Sequence, residues 1–519
     1  MKKLIYLASI CLAMAFASCD DFLTVSSPDQ LTTDKYWRNL ADAESGMASV
    51  YSQLYHGDGY ATSEVRWPVE AYRTDLYNLG TDATNYETWT DLYKFTYTNG
   101  NTQFSYYYQD LYRGINFANQ VLEYVPNIPQ SGISETKRNE LLCEAHFMRG
   151  YYHLMLLLNW ENIIIRDKYI TNEKDLNMPL SERTTCWDFV IDELKQGTGL
   201  PATRPDSEVG RATAGAAYAY LGFSYLTRAY EESDNESSYL ANALQALNEV
   251  KGYELVSGDN LVNMFNGHNK NCKESIFEIQ YSLTSDNGAR YYSYVHKWMT
   301  TIEVGGYDEI LPNDRLMDEY MKEGEIATTG RYDSRLYNTI YYQCDYFNDN
   351  SGRVYGKNYD DWFRTEVKKD ENGNIIKPST PYNRPVFRKF TPINEEERAM
   401  ARCAFNIPLM RYANVMLMKA EVLNKQGHPE QAIPLINEIR QMHGDMPPMK
   451  GSTQAEVQAQ IEHERIVEFP LESYRWYDLR RWGKIKEALQ AIGRSGFDTD
   501  KHTFYPIPLW EINANSALK

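Results

Sequence analysis

Thr213–Arg228 reads TAGAAYAYLGFSYLTR, and this stretch decides the fold. Its apolar and aromatic residues recur at spacings of three and four, the period of a helix with one buried face. A second helical segment, Leu240–Val250, follows, with Ala243, Leu244 and Leu247 on one stripe. Such a pair cannot cover its own apolar faces and stacks on similar neighbours. The design recurs at Tyr412–Gln426 and Glu430–Met442. Between them lies Gly427-His428-Pro429, in which Gly427 suits a helix C-cap and Pro429 a first helical position.

Outward from these pairs, Asp42–Tyr55, Tyr107–Val125, Glu135–Asn159 and Trp187–Leu194 carry the same periodicity, as do Gln454–Glu468 and Glu472–Ile492. Leu221-Gly222-Phe223-Ser224-Tyr225 matches the L-G-x-x-Y core of a tetratricopeptide first helix. The expected fold is mainly α. A tetratricopeptide-like helical-hairpin scaffold spans about 35–255 and 409–492, and a loop-rich, aromatic-rich part over about 257–408 packs on it, all within one domain over 35–519. In that part Asn372-Gly373 signals a hairpin turn between short strands at Thr365–Lys368 and Ile375–Lys377. A second irregular stretch runs from His56 to Asn101, and long irregular segments in compact chains are usually functional.

The chain opens MKKLIYLASICLAMAFASCDDF. Lys2 and Lys3, an apolar run from Leu4 to Ala17 and small residues before Cys19 form the three regions of a secretory signal. Phe16-Ala17-Ser18-Cys19 resembles the lipobox of bacterial lipoproteins, so the expected signal is 1–18, with lipidation at Cys19 and a polar tether over 19–34. The net charge of −18 argues against nucleic acid, whose phosphates need Lys and Arg clusters. The seven cysteines show no CxxC and no regular spacing, and buried free thiols are expected of those in the body. Tyrosine is the outlier, at 42 residues beside 10 Trp, many of them in Gly/Asn/Asp-rich stretches. An apolar face with a polar edge suits amphipathic ligands, sugars among them.

Together these segments resemble the RagB/SusD family of outer-membrane nutrient-binding lipoproteins. The resemblance runs through Cys19–Leu23, Tyr36-Trp37, Asp42-Ala43, Tyr112–Asn119, Glu144–Tyr152, Gly210–Thr213, Asp333–Arg335, Arg411–Leu417 with Ala420-Glu421, Glu464–Trp482 and Tyr505–Pro508. Its most specific piece is Arg475–Trp482, RWYDLRRW, and it departs at Asn414, where the family often has Glu. The resemblance implies a surface lipoprotein that captures a nutrient, usually a glycan, and works with a SusC-like TonB-dependent outer-membrane porter. It also implies no catalysis and no cofactor. Asp20 and Asp21 fit the acidic surface-export signal of the family.

Ligand contacts are expected in the irregular aromatic stretches: Trp67, Arg73, Asp75 and Trp89; Tyr291, Tyr292, Tyr294 and Trp298; and Tyr359 with Trp362. Aromatic faces stack on a pyranose while Asn, Asp and Arg bond its hydroxyls. In RWYDLRRW the tryptophans are expected in the core, with Glu472–Arg475 and Asp478–Arg481 as pairs on one helix surface. No HExxH, G-x-S-x-G, P-loop or dinucleotide fingerprint is present, and Asp370–Pro381 lacks the Gly and Glu of a calcium loop. The alternatives are an envelope-anchored glycoside hydrolase, which needs two carboxyl groups roughly 5–10 Å apart across a sugar, and a relative that binds peptides instead.

Overall fold

The computed structural model describes residues 36–55, 66–284, 292–349, 352–363 and 384–519. The signal segment, Cys19 and the tether lie outside the described residues, as do Tyr291, the Asp370–Pro381 segment and the strands expected beside Asn372-Gly373.

The architecture rests on α1 (Leu40–Ser52), α2 (Thr102–Tyr124), α3 (Glu135–Asn159), α4 (Arg183–Gly197), α5 (Ala214–Glu231), α6 (Glu236–Asn248), α7 (Tyr412–Lys425), α8 (Pro429–Gly444), α9 (Gln454–Glu468) and α10 (Arg475–Arg481). Side chains meet the unpaired N–H groups at several starts. Asn101, Ser134 and Thr213 accept from the backbone of Gln103, Lys137 and Ala216. Thr453 and Glu456 form a capping box. Gly427, at φ +86°, ends α7, and Pro429 opens α8.

α1 lies on α2 and α3, after which α2 packs on α3, α3 on α4, α4 on α5 and α5 on α6. α6 then packs on α7, although the whole segment from Glu249 to Arg411 separates them in sequence. α7 packs on α8 and both pack on α9. The array is therefore continuous in space and interrupted in sequence. A Cβ on Gly222 would lie 2.5 Å from the Leu247 side chain, so α5 and α6 meet through a glycine. Ala413, Leu417, Ile436, Ile439, Val457 and Ile461 fill the centre of the last three helices.

One expected helix is broken. Leu471 and Ser473 take positive φ of 63° and 69°, so α10 begins only at Arg475. Gly483, at φ +69°, ends it, with Lys484 N–H donating to the Leu479 carbonyl, and a separate helix runs over Ile485–Ala491.

The segment between α6 and α7 is an insert of short helices and strands. Its strands, with one from the 66–101 stretch, are β1 (Tyr77–Leu79), β2 (Ser275–Ile279), β3 (Ile310–Pro312), β4 (Ile340–Tyr341), β5 (Val386–Phe387) and β6 (Ile407–Arg411). They pair antiparallel as β1·β3, β2·β6 and β4·β5. The β2·β6 pair, with Ser275 opposite Arg411 and Ile279 opposite Ile407, closes the neck through which the chain leaves and rejoins the array. The β1·β3 pair ties the 66–101 stretch to the insert.

Candidate functional site: an aromatic face on the insert

Short elements from two distant parts of the chain bring the expected aromatic residues together. Trp67 sits on the helix Arg66–Ala71, Trp89 on Glu87–Lys94 and Trp298 on Val295–Trp298. Ring centroids are 5.4 Å apart for Trp67–Trp89, 6.2 Å for Trp67–Trp298 and 6.3 Å for Tyr294–Trp298. Tyr292 joins through Tyr294 at 5.7 Å. At the outer edge Tyr86 packs on Trp89 at 4.7 Å and is 47% exposed.

The turn after Trp298 adds to this edge. Gly305, at φ +81°, lets the chain reverse, and Tyr307 N–H donates to the Lys297 carbonyl. The turn presents Ile302, 60% exposed, and Tyr307, 41% exposed. The buried Asp308 side chain accepts from Thr81 N–H at 2.9 Å and pairs with Arg384, which fixes the turn to the start of the Asp82–Asn85 segment. The indole N–H groups of Trp67 and Trp89 are out of solvent and have no hydrogen-bond partner among the described residues.

Other expected contacts lie in the interior. Arg73 is 1% exposed, its guanidinium packed over Trp476, Tyr505 and Tyr477 and bonded to Asn159. Asp75 is fully buried and receives both Nε and Nη2 of Arg475, at 2.8 and 2.7 Å. Burial opposes its charge, but Arg475 outweighs this and lowers its pKa. Both are pins between the 66–101 stretch and α10. Tyr359 is fully buried with its hydroxyl donating to the Arg384 carbonyl. Trp362 is half-buried, with Lys357 Nζ 4.2 Å and Arg398 5.1 Å from its ring. Tyr292 and Trp298 are 8% and 3% exposed and back the array rather than front it. Tyr307 and Ile302 were not singled out from sequence, because they sit in a turn with no aromatic cluster of its own.

In the RWYDLRRW segment Arg475, Asp478 and Arg481 are buried and Arg480 is half-buried. Trp476 and Leu479 are buried, as expected, whereas Trp482, also expected in the core, is half-buried because it lies at the end of α10. The charges, however, do not form surface pairs. Arg475 reaches Asp75, and Glu472 pairs with Arg411 and Lys389 instead of Arg475, because it precedes the helix. Arg481 does meet Asp478, at 3.0 Å, but is buried and makes a two-point pair with Glu421, which also accepts from Trp482. Arg465 bonds Asp478 and the Asn414 side chain, so the residue that departs from the family pattern still supplies an acceptor.

A buried ionic cluster extends this to the neck. Arg411 contacts Glu274, Glu468 and Glu472. His443 bridges Glu274 and Glu468 at 3.1 and 3.0 Å, one ring nitrogen to each. Burial disfavours its charge, but the two carboxylates prevail and raise its pKa to about 9. Glu274, His443 and Glu468 place one ligand atom each within 4.8 Å of one another, as do Glu323, His463 and Glu464. Arg411 already bonds the first set, and Arg440 the second through Glu323 and Glu464. The geometry in both is that of ion pairs. Five described cysteines, Cys143, Cys186, Cys272, Cys344 and Cys403, are free.

A stacked helical-hairpin array that carries an aromatic-faced insert defines a class of binding scaffold. The chain belongs to the SusD-like family: a model for the "SusD family" matches residues 273–519, and one for "Starch-binding associating with outer membrane" matches 21–226. SusD-like protein P38 of Formosa agariphila is 24% identical over 507 residues, 95% of this chain and 93% of that one. A SusD superfamily protein from Bacteroides vulgatus superposes with a TM-score of 0.76 at 23% identity, covering 93% of this chain and 98% of that one. A structure named as a laminarin binding SusD-like protein gives 0.70 at 22% identity, covering 92% and 98%. The mainly α, tetratricopeptide-like fold expected from sequence is the fold found.

Proposed function

We propose that this protein is a surface lipoprotein that captures a glycan on a face edged by Tyr86 and Tyr307 and backed by Trp67, Trp89, Tyr294 and Trp298. It then delivers the glycan to a TonB-dependent outer-membrane porter. The observation that carries the reading is the joining of two sequence-distant aromatic groups into one array with Tyr86 exposed at its edge, and Tyr307 exposed on the turn bonded to the Gly80–Asp82 backbone. Large exposed aromatic rings mark binding surfaces, and their faces match the apolar face of a pyranose. The family description, starch-binding and associating with the outer membrane, and the laminarin-binding relative support carbohydrate as the ligand class.

The role is capture without catalysis. Lipidation at Cys19 holds the protein at the membrane, and the polar tether lets it move beside the porter. An open site of this kind binds in roughly the millimolar to micromolar range, about −4 to −8 kcal/mol. Affinity electrophoresis in gels containing laminarin, starch or galactomannan tests the reading. The protein is expected to be retarded by at least one polysaccharide, and less so as Tyr86→Ala/Tyr307→Ala. Binding of peptides with no carbohydrate binding overturns the glycan assignment, and release of reducing ends by the purified protein overturns the absence of catalysis.

A further inference from the structure

A second polar cleft, of about 480 Å³, lies in the insert between residues 321–332 and 337–349. Its size falls in the roughly 300–1,000 Å³ range of small-molecule sites. Tyr332, Tyr337, Tyr342 and Tyr346 line it together with Arg331 and Asp345. Arg331 is exposed, and its guanidinium lies 4.5 Å from the centre of the Tyr346 ring. The Tyr337 and Tyr346 rings meet edge to face at 5.0 Å, and the Tyr337 hydroxyl accepts from Tyr332 N–H.

The cleft is held rigidly. Between its two walls, Arg335 is buried against Asp333 and reaches Glu464 and Glu468 of α9, at 2.8 and 3.2 Å. Ser334 Oγ donates to Asp445 at the end of α8. The walls are thus fixed to the helical array before any ligand arrives, which lowers the entropic cost of binding.

We propose that this cleft is a second carbohydrate subsite, distinct from the Trp67–Trp298 face, and that it takes an uncharged sugar unit. The proposal rests on the glycan-binding reading above. Tyr346, half-buried with Arg331 on its ring, supplies an aromatic wall, while tyrosine hydroxyls, the guanidinium and Asp345 supply donors and acceptors for sugar hydroxyls. Charge sets the sugar class. Among the described lining residues, Glu325, Asp345 and Asp349 outnumber the one cation, Arg331. A uronate or sulfated sugar would meet net like charge there, whereas a neutral one would not. Beneath the surface, interior rings connect the cleft wall with Trp362: Tyr337–Phe347, Phe347–Tyr341, Tyr341–Tyr355 and Tyr355–Trp362, in steps of 6.2, 5.1, 6.3 and 6.2 Å. Arg398, on the Trp362 ring, also donates to the Val304 carbonyl beside Ile302. One polysaccharide chain engaging both sites gains affinity through effective concentration.

The test is affinity electrophoresis of the purified protein against laminarin and galactomannan, with polygalacturonate as the charged counterpart. Arg331→Ala and Tyr346→Ala are introduced alone and in the Tyr86→Ala/Tyr307→Ala background, with thermal melts as a check on folding. Each cleft variant is expected to cut neutral-polysaccharide binding about 5-fold or more and to abolish what the background retains, with the melt unchanged and no retention by polygalacturonate. Cleft variants that bind like their parents overturn the subsite and leave the first face standing. Arg331-dependent retention by polygalacturonate overturns the uncharged-sugar assignment. A wild-type protein retained by none of the three, nor by starch, overturns the glycan reading and the subsite with it.

Discussion

The neck of the insert and its outer face invert the usual placement of residue types. At the neck, Glu274, Arg411, His443, Glu468 and Glu472 are charged groups in the interior, at most 6% exposed. On the outer face, Tyr86, Tyr307 and Ile302 are large hydrophobic groups at the surface, at least 41% exposed. Charged residues are rarely buried unless paired, and large apolar groups rarely cluster in water without a use. The difference teaches that residue type alone does not locate function here. The charged groups, which suggest chemistry, join the two interrupted halves of the helical array. The exposed aromatic and aliphatic groups, which by type suggest a core, are the ones the proposed capture face would use.

The largest effect is expected of Arg411→Met. It would leave three buried carboxylates short of a partner, and loss of one member of a buried pair costs about 3–5 kcal/mol. Urea denaturation is expected to show a loss of that order; a loss under about 1 kcal/mol would mean that charge does not hold the neck. Asp75→Ala strands Arg475 in the interior and should destabilise by about 3 kcal/mol, while the folded protein keeps its affinity for laminarin. Normal stability with reduced laminarin affinity would return Asp75 to the ligand.

A third effect is set by pH. The folded pKa of His443 is raised from 6.5 to about 9, so its contribution is complete below pH 6.5 and disappears as pH rises through 9. The loss is on the order of 3 kcal/mol at most. Glu274, Glu468 and Arg411 face the ring, and of these only the histidine exchanges its proton in that window. Stability measured from pH 6.5 to 9.5 should fall, and His443→Gln should flatten the fall; an unchanged slope would assign it elsewhere. The smallest effect belongs to the outer face. Tyr86→Ala should weaken polysaccharide binding by about 0.5–1.5 kcal/mol, several-fold, and change stability by less than about 0.5 kcal/mol. A stability loss of several kcal/mol would make Tyr86 a core residue.

Much of the array was legible along the chain. Glu135–Asn159 and Gln454–Glu468 form helices with the bounds expected, and Gly427 and Pro429 end and begin helices as their backbone chemistry requires. Glu472–Ile492 was misjudged because periodicity does not register left-handed residues such as Leu471 and Ser473. The Glu472–Arg475 pairing failed for the same reason. The true partner of Arg475, Asp75, lies 400 residues away, and no local spacing reports such a distance. Composition grouped Trp67, Trp89, Tyr294 and Trp298, which the structure brings into one array, and Arg73 and Asp75 were grouped with them only because they are neighbours in sequence. The second cleft is lined by four of the five tyrosines from Tyr332 to Tyr346, a run without a tryptophan that the sequence reading did not single out.

By itself, the sequence determined the helical hairpins, their caps and the presence of aromatic loops, because each depends on residues a few positions apart. The tertiary structure alone decided that α6 continues into α7, that the RWYDLRRW charges are interior, and that two aromatic groups form one face. Those outcomes depend on which buried surfaces and charges find partners across hundreds of residues. Burial decides whether a charge must be paired, and exposure decides whether a ring is left for a ligand.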